Sequence, residues 1–467
     1  MEPVNEQPNL LMGFYFYPRG GSAHACAALA AELTRAGMPV TLVAGSRSDG
    51  DPLAIATRFF GYCDVFPVDF TRALRAPDPA RTDPGPGGAP MHASYEDRPG
   101  AEDPVFATLD DEAFELHVAA WQRELERAAT GGVDVLYLHH LTPINEAAAR
   151  AFPDVPVIGH THGSELLMLE AIDSGPPAEW AHAEAWAQRM REWAAACERL
   201  VVNSEQGRER AARLLGVDLA RFELIPNGFS DDFAPRPIDR AAHWRKHLVR
   251  EPRGWAPGEP PGSVSYTEAD LDALRGVTLL NVGRFTAVKR LRLLIETFAR
   301  AQPRFDEPAA LVLVGGYPGE WEDEHPLETV RRVGASNVFL AGWHEQSALP
   351  DFLNASDVLV HPSANEQFGQ VLVEAMACAV PTIAVNRGGP AQIVEHGATG
   401  WLVPPDDPQA LEEALVEAVN DRRRREQMGL NARRKALASY GWSQIAARTQ
   451  QLVASVADAP MAASATR

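Results

Sequence analysis

Two stretches of this chain share one build, an apolar run, then a turn broken by glycine, then helical spacing, and that repeat commits the chain to parallel sheets covered by helices. The sharper one runs from His361 to Gly389. Asp357-Val358-Leu359-Val360 leads into it as a buried parallel strand, and Ala364 to Gly369 is a polar turn ending in glycine. From Gln370 the spacing turns helical, with Val371, Leu372, Ala375 and Met376 on one stripe. The N–H groups of that first turn have no partner inside the helix and point back into the glycine loop. A helix start carries about half a unit of positive charge, which suits a phosphate or diphosphate.

Two carboxylates bracket this position, Glu366 before the glycine and Glu374 in the second helical turn. An ionised carboxylate accepts two hydrogen bonds at once, so each glutamate is fitted to one diol, and a nucleotide sugar has a diol on either side of its diphosphate. Taken singly, each reads equally as an exposed charge. The second stretch opens the chain. Leu10 to Tyr17 is a strand, Pro18-Arg19-Gly20-Gly21 a turn, and Ser22 to Ala36 a helix. The dinucleotide fingerprint GxGxxG is absent, but Gly20 and Gly21 let backbone approach a ligand closely, with Arg19 and His24 beside them.

Between them the chain continues in α/β style. Strands are predicted at Pro39–Ala44, Val133–Leu138, Val155–Gly159, Arg199–Ser204, Glu223–Gly228, Val277–Val282, Ala309–Gly316 and Asn337–Gly342. His139, His140, His160 and His162 stand at two neighbouring strand ends, where open α/β sheets bind ligands. Metal binding is the weaker reading, because no carboxylate or cysteine pattern joins them, and no metal is assigned. After Val282 comes Gly283-Arg284-Phe285-Thr286-Ala287-Val288-Lys289. Its two cations, Arg284 and Lys289, can neutralise a departing diphosphate. Lys289 is one of three lysines in the chain, so compositional bias does not account for it. Trp343 and His344, past a strand end, read as neighbours of a base or as core. The proline- and glycine-rich stretch from Arg75 to Pro104 reads as a long loop, either a flap or a passive insertion. Pro408 to Gly429 reads as one amphipathic helix with Arg422 to Arg425 on a solvated face, and Trp442 to Val456 as another helix.

The pattern Glu366-x7-Glu374 with Phe368-Gly369 inside it, followed by Pro381-Thr382 and Gly388-Gly389, resembles the retaining nucleotide-sugar glycosyltransferases of the GT-B fold, glycosyltransferase family 4. Gly283-Arg284-x4-Lys289, His162-Gly163-x-Glu165 and Ile225-Pro226-Asn227-Gly228 resemble the family's phosphate pair, sugar-contacting segment and domain-exit turn; Ser230 stands where the family usually has aspartate. The resemblance implies an α/β chain of two Rossmann-like domains facing each other across a cleft. It assigns residues 1–235 to the acceptor domain, 236–274 to a linker or insertion, 275–439 to the donor domain, 440–457 to a helix returning to the first domain, and 458–467 to a disordered tail. His162, Arg284, Lys289 and Glu366 become catalytic candidates. Gly20, Gly21, Gly283, Phe368, Gly369, Gln370, Val371, Leu372 and Glu374 become donor-binding ones, Glu374 on the ribose. The implied reaction is metal-independent transfer of a hexose from a nucleotide diphosphate sugar, with uridine diphosphate the expected carrier, under retention of configuration and without a cofactor.

Two other classes stay open from the residues. Paired carboxylates also serve glycoside hydrolases or phosphorylases, in which Arg284 and Lys289 have no role. A sugar-binding chain without activity is the third, although every donor residue of the pattern is present. The chain of 467 residues accommodates two α/β domains, and 45% apolar with 23% charged residues is an ordinary globular composition. Residues 1 to 235 hold 18 arginines and no lysine against 35 acidic residues, a balance of −17. That acidity argues against nucleic acid or anionic lipid and toward a small polar acceptor, neutral or cationic. Without a run of eighteen apolar residues, stable membrane insertion is not expected, and the chain reads as cytoplasmic, a monomer or homodimer. The four cysteines are widely spaced and read as core residues.

Overall fold

The computed structural model describes residues 7–97 and 102–458. They form two compact units. The first runs to Asn227 and resumes at Trp442; the second is Gly228–Gly441.

In the first unit β1 (Leu10–Phe14), β2 (Val40–Ser46), β3 (Asp64–Asp69), β4 (Val135–His139), β5 (Val157–His160), β6 (Arg199–Val202) and β7 (Phe222–Leu224) make one sheet, ordered β3-β2-β1-β4-β5-β6-β7. In the second, β8 (Val277–Gly283), β9 (Ala309–Gly315), β10 (Val338–Gly342), β11 (Val358–His361), β12 (Thr382–Val385) and β13 (Gly400–Val403) are ordered β10-β9-β8-β11-β12-β13. The pairings are parallel throughout. Helices cover both faces of such sheets, which is why β1, β4, β10 and β11 are buried at every position and read as unbroken apolar runs. Strand order reverses between β1 and β4 and between β8 and β11, and crevices for ligands open there at the carboxyl ends.

Three strands escape the sequence reading, β3, β12 and β13. Pro67 interrupts β3, which is tolerated because β3 lies at the sheet edge. The helix expected over 408–429 is two, Pro408–Asn420 and Arg422–Ser439. Asp421 leaves helical geometry and accepts a hydrogen bond from the Arg424 amide, restarting the helix. Arg425 is buried, against expectation, and its guanidinium donates to the carbonyls of Ala418 and Val419, which end the first helix.

The stretch 75–104 is neither flap nor passive insertion where it is described. Met91, His92 and Ala93 are fully buried, and the Tyr95 hydroxyl donates to the Leu141 carbonyl at 2.7 Å. The segment 236–274 packs into the second unit, with Trp244 and Trp255 buried and the Trp255 indole donating to the Gly316 carbonyl at 3.0 Å. The helix Trp442–Ala457 sets Ile445, Val453 and Val456 among the core residues of the first unit, with Leu10, Leu29 and Leu33. Beyond Asp458 the tail lies outside the described residues. Cys26, Cys197 and Cys378 are buried, and all four cysteines are free thiols. Among the described residues no helix is long and apolar enough to cross a membrane.

Candidate active site

β8 and β11 run side by side in the second unit, so Gly283 and His361, their last residues, reach the same crevice. After β8 the chain makes the short turn Ala287–Lys289. The loop after β11 is sewn to that turn, since Ala364 N–H and the Ser363 hydroxyl both donate to the Val288 carbonyl, at 2.9 and 3.2 Å. This brings Lys289 Nζ to 2.6 Å from Glu366 Oε2, which also accepts from His361 Nε2 at 3.1 Å. Burial opposes ionisation of Glu366, but the Lys289 charge and the His361 bond outweigh it and hold the carboxyl well below the usual range. Burial, then Lys289, lowers the pKa of His361 and keeps that ring neutral.

Gly369 carries a φ of 97°, a left-handed conformation that a side chain opposes, and from it the helix Gln370–Ala377 starts. Leu372 N–H turns back to the Gly369 carbonyl at 2.9 Å, leaving the Gln370 and Val371 amides as the open donors of the first turn. Phe368 and Leu372 are buried in the core, Phe368 edge-on to Tyr440, so only their backbone faces a ligand. Gly388-Gly389 closes the loop from behind. Gly389 N–H donates to the Glu366 carbonyl at 3.0 Å, and a Cβ there would lie 2.2 Å from the Phe368 carbonyl oxygen.

Glu374 is buried one helical turn from Gln370. Its Oε1 accepts from Gln346 Nε2 at 3.0 Å and Gln370 Nε2 at 3.2 Å; among the described residues Oε2 takes no hydrogen bond. Burial pushes this carboxyl up to about 7 against the pull of those two bonds. Arg284 follows Gly283 at the end of β8, is exposed, and makes no hydrogen bond or ion pair among the described residues. Gly283 needs no special freedom, since a Cβ there would meet Lys289 at an ordinary 3.6 Å. At the ends of β9 and β10, Tyr317 and Trp343 are exposed and meet edge to face at 5.8 Å, whereas His344 is buried against Phe352.

Sequence reasoning brings Glu366, Gly369, Gln370, Val371, Glu374, Gly283, Arg284 and Lys289 to this crevice. It assigns no role to His361, five residues before Glu366, or to Gln346, which reaches Glu374 across 28 residues. Gly20, Gly21 and His162 belong to the first unit. A Cβ at Gly20 or Gly21 would meet nothing within 4 Å, so the start of the helix Gly20–Arg35 presents bare backbone. Arg19 beside it pairs with Asp103 at 3.0 Å and lies over the Tyr17 ring, and His24 rests on Phe59. His162 shares a hydrogen bond of 2.9 Å with His139, and its amide donates to Glu165 at 2.9 Å.

Residues 273–435 match the family described as glycosyl transferases group 1, and residues 19–233 match glycosyltransferase family 4. The chain belongs to the family 4 glycosyltransferases. Curated relatives of this glycosyltransferase include the D-inositol 3-phosphate glycosyltransferase of Kineococcus radiotolerans, 31% identical over 64% of this chain and 66% of that protein. That of Xylanimonas cellulosilytica is 28% identical over 81% of this chain and 84% of the relative. Another, from Catenulispora acidiphila, is 32% identical, but the match spans only 55% of its length. Among solved structures, Anabaena HepE in complex with UDP and glucose has a TM-score of 0.67 at 18% identity, covering 96% of this chain and all of that one. Sucrose-phosphate synthase from Thermosynechococcus elongatus has 0.64 at 20% identity, covering 96% and 99%. These likenesses place the chain in the GT-B fold of two Rossmann-like units.

Proposed function

We propose that this protein transfers a hexose from a nucleotide diphosphate sugar, with uridine diphosphate as the carrier, to a small polar acceptor under retention of configuration. The arrangement at the β8/β11 crevice carries the reading. Lys289 meets Glu366 on the loop that leads into the helix Gln370–Ala377, Arg284 stands unpaired after β8 among the described residues, and Glu374 has an oxygen without a hydrogen bond among them one turn into that helix, which supports reading the helix start as the diphosphate place. In this scheme Glu374 holds the ribose, Glu366 the hexose, and Arg284 with Lys289 takes up charge on the leaving diphosphate as the sugar–phosphate bond breaks. Lys289 exchanges part of its bond to Glu366 for phosphate oxygens. The departing phosphate oxygen takes the acceptor proton, so no separate base and no metal enter the donor chemistry. Hydrolysis would leave Arg284 and Lys289 idle.

Uridine diphosphate is supported by the HepE structures, which are complexes with UDP and with UDP-glucose. For the acceptor, the −17 balance of residues 1 to 235 favours a neutral or cationic molecule, a sugar, cyclitol or aminocyclitol. Arg19 and Arg47 support this, because each is already paired with carboxylates, Asp103 for one, Asp49 and Glu102 for the other. A phosphorylated acceptor is the second reading, favoured by the relatives named for inositol 3-phosphate. Calorimetry with uridine and guanosine diphosphate, with and without magnesium, on the protein and on Glu374→Ala tests the donor assignment. Metal-free binding of one nucleotide, lost in the variant, is expected; binding of neither overturns it. An acceptor screen in which phosphorylated molecules react best replaces the neutral reading by the second.

A further inference from the structure

The first unit concentrates a different chemistry at the ends of β4 and β5. Parallel pairing sets His139 beside His160 in register, and His162, two residues further along extended chain, returns to the same face. His162 stacks on His160 at 4.2 Å and on His139 at 5.2 Å, and His139 lies tilted to His160 at 5.1 Å. One nitrogen from each lies within 4.8 Å of the other two. Burial is the first cause that lowers the pKa of all three rings, that of His160 to about 4, and the neighbouring His140 adds to it in each. His139 Nε2 is buried without a partner among the described residues, and Nδ1 is the nitrogen that ring turns toward His162 Nε2. The Tyr137 hydroxyl, 3.0 Å from His160 Nδ1, is placed to accept from that nitrogen and leave Nε2 as the ligand atom, which gives up its contact with Asn203.

We propose that His139, His160 and His162 form a binding site for one divalent transition cation of the zinc class, with three imidazole ligands and an open position. Imidazoles select zinc, cobalt, nickel or copper over magnesium and calcium, which require oxygen donors. The nearest carboxylate, Glu165, is already engaged by the His162 amide and by His140. His139 Nδ1 and His162 Nε2, 2.9 Å apart, have to separate by roughly 0.4 Å to reach tetrahedral angles at the Zn–N bond length of ~2.0–2.1 Å.

The test is titration of chelator-treated full-length protein with cobalt(II), followed by zinc displacement. Ligand-field absorption saturating at one equivalent is expected, with affinity in His139→Gln and His160→Gln falling by more than the ~10–100-fold that loss of a mere supporting partner costs. Uridine diphosphate binding, measured alongside, certifies that each variant is folded and reports separately on the donor reading. Absence of a saturable band in the folded wild type, or an unchanged band in both variants, overturns the site and leaves a neutral hydrogen-bonded stack. Should neither variant fold, X-ray absorption at the cobalt edge of the wild type decides, since three imidazoles are required and fewer reject the site.

Discussion

At the reversal of strand order the second sheet presents partnered charges, whereas the first presents neutral rings. Lys289 and Glu366 form an ion pair in a half-buried crevice, and His361 adds a bond to the same carboxylate. His139, His160 and His162 occupy the corresponding edge of the first sheet, where Glu165 is engaged by His140 and the His162 amide, and burial lowers the pKa of all three rings. The same strand–loop–helix plan thus sets where a ligand binds, and the side chains at strand ends set which ligand.

The largest test of this contrast is Lys289→Ala. Removing a cation whose role is to meet charge developing on the leaving group is expected to lower donor turnover by about 10²–10³-fold, with a smaller effect on nucleotide affinity. Equal losses in both, measured by steady-state kinetics and calorimetry, would make Lys289 a simple binding residue. Glu374→Ala comes next. Loss of a charged hydrogen-bond acceptor costs about 1.5–3 kcal/mol, so nucleotide binding should weaken roughly 10- to 100-fold, and calorimetry giving less than a threefold change would remove Glu374 from the site.

The raised pKa of Glu374 sharpens the comparison through pH. Nucleotide affinity is expected to climb as pH rises through about 7 and the carboxylate ionises, while Glu374→Gln shows a flat profile. Stability runs the opposite way. A carboxyl that holds its proton more tightly when folded loses stability as pH rises from its ordinary 4.5 to about 7, so the glutamine variant should be relatively more stable above pH 7, on the order of 2 kcal/mol. Denaturation curves at pH 4.5 and 8 measure that difference.

The smallest effects compare the two glycine pairs. Gly389→Ala drives a Cβ into the Phe368 carbonyl and should cost about 1–3 kcal/mol by thermal denaturation. Gly21→Ala meets open space and should stay within about 0.5 kcal/mol. The sequence makes these glycines look alike, yet one is required by packing inside the protein and the other leaves room for something outside it.

Much of the β8/β11 crevice was legible because its parts are local. Glu366, Gly369, Gln370 and Glu374 lie within one loop and two helical turns, so residue spacing alone sets their relation. The sheets were legible for a similar reason, since strands buried on both faces must be apolar runs. Edge strand β3 was not, because an edge tolerates Pro67, and Arg425 misled because a run of arginines gives no sign that one of them turns inward to cap a neighbouring helix.

By itself, then, the sequence determined the α/β class, the two glycine-broken turns and the acidic character of the first half, all of which follow from short-range spacing or composition. Tertiary structure alone decided that Lys289 meets Glu366 across 77 residues, Gln346 meets Glu374 across 28, and His139 meets His162 across 23. It also decided which of these groups are charged. Burial is a property of everything packed around a residue, and no window of sequence contains it.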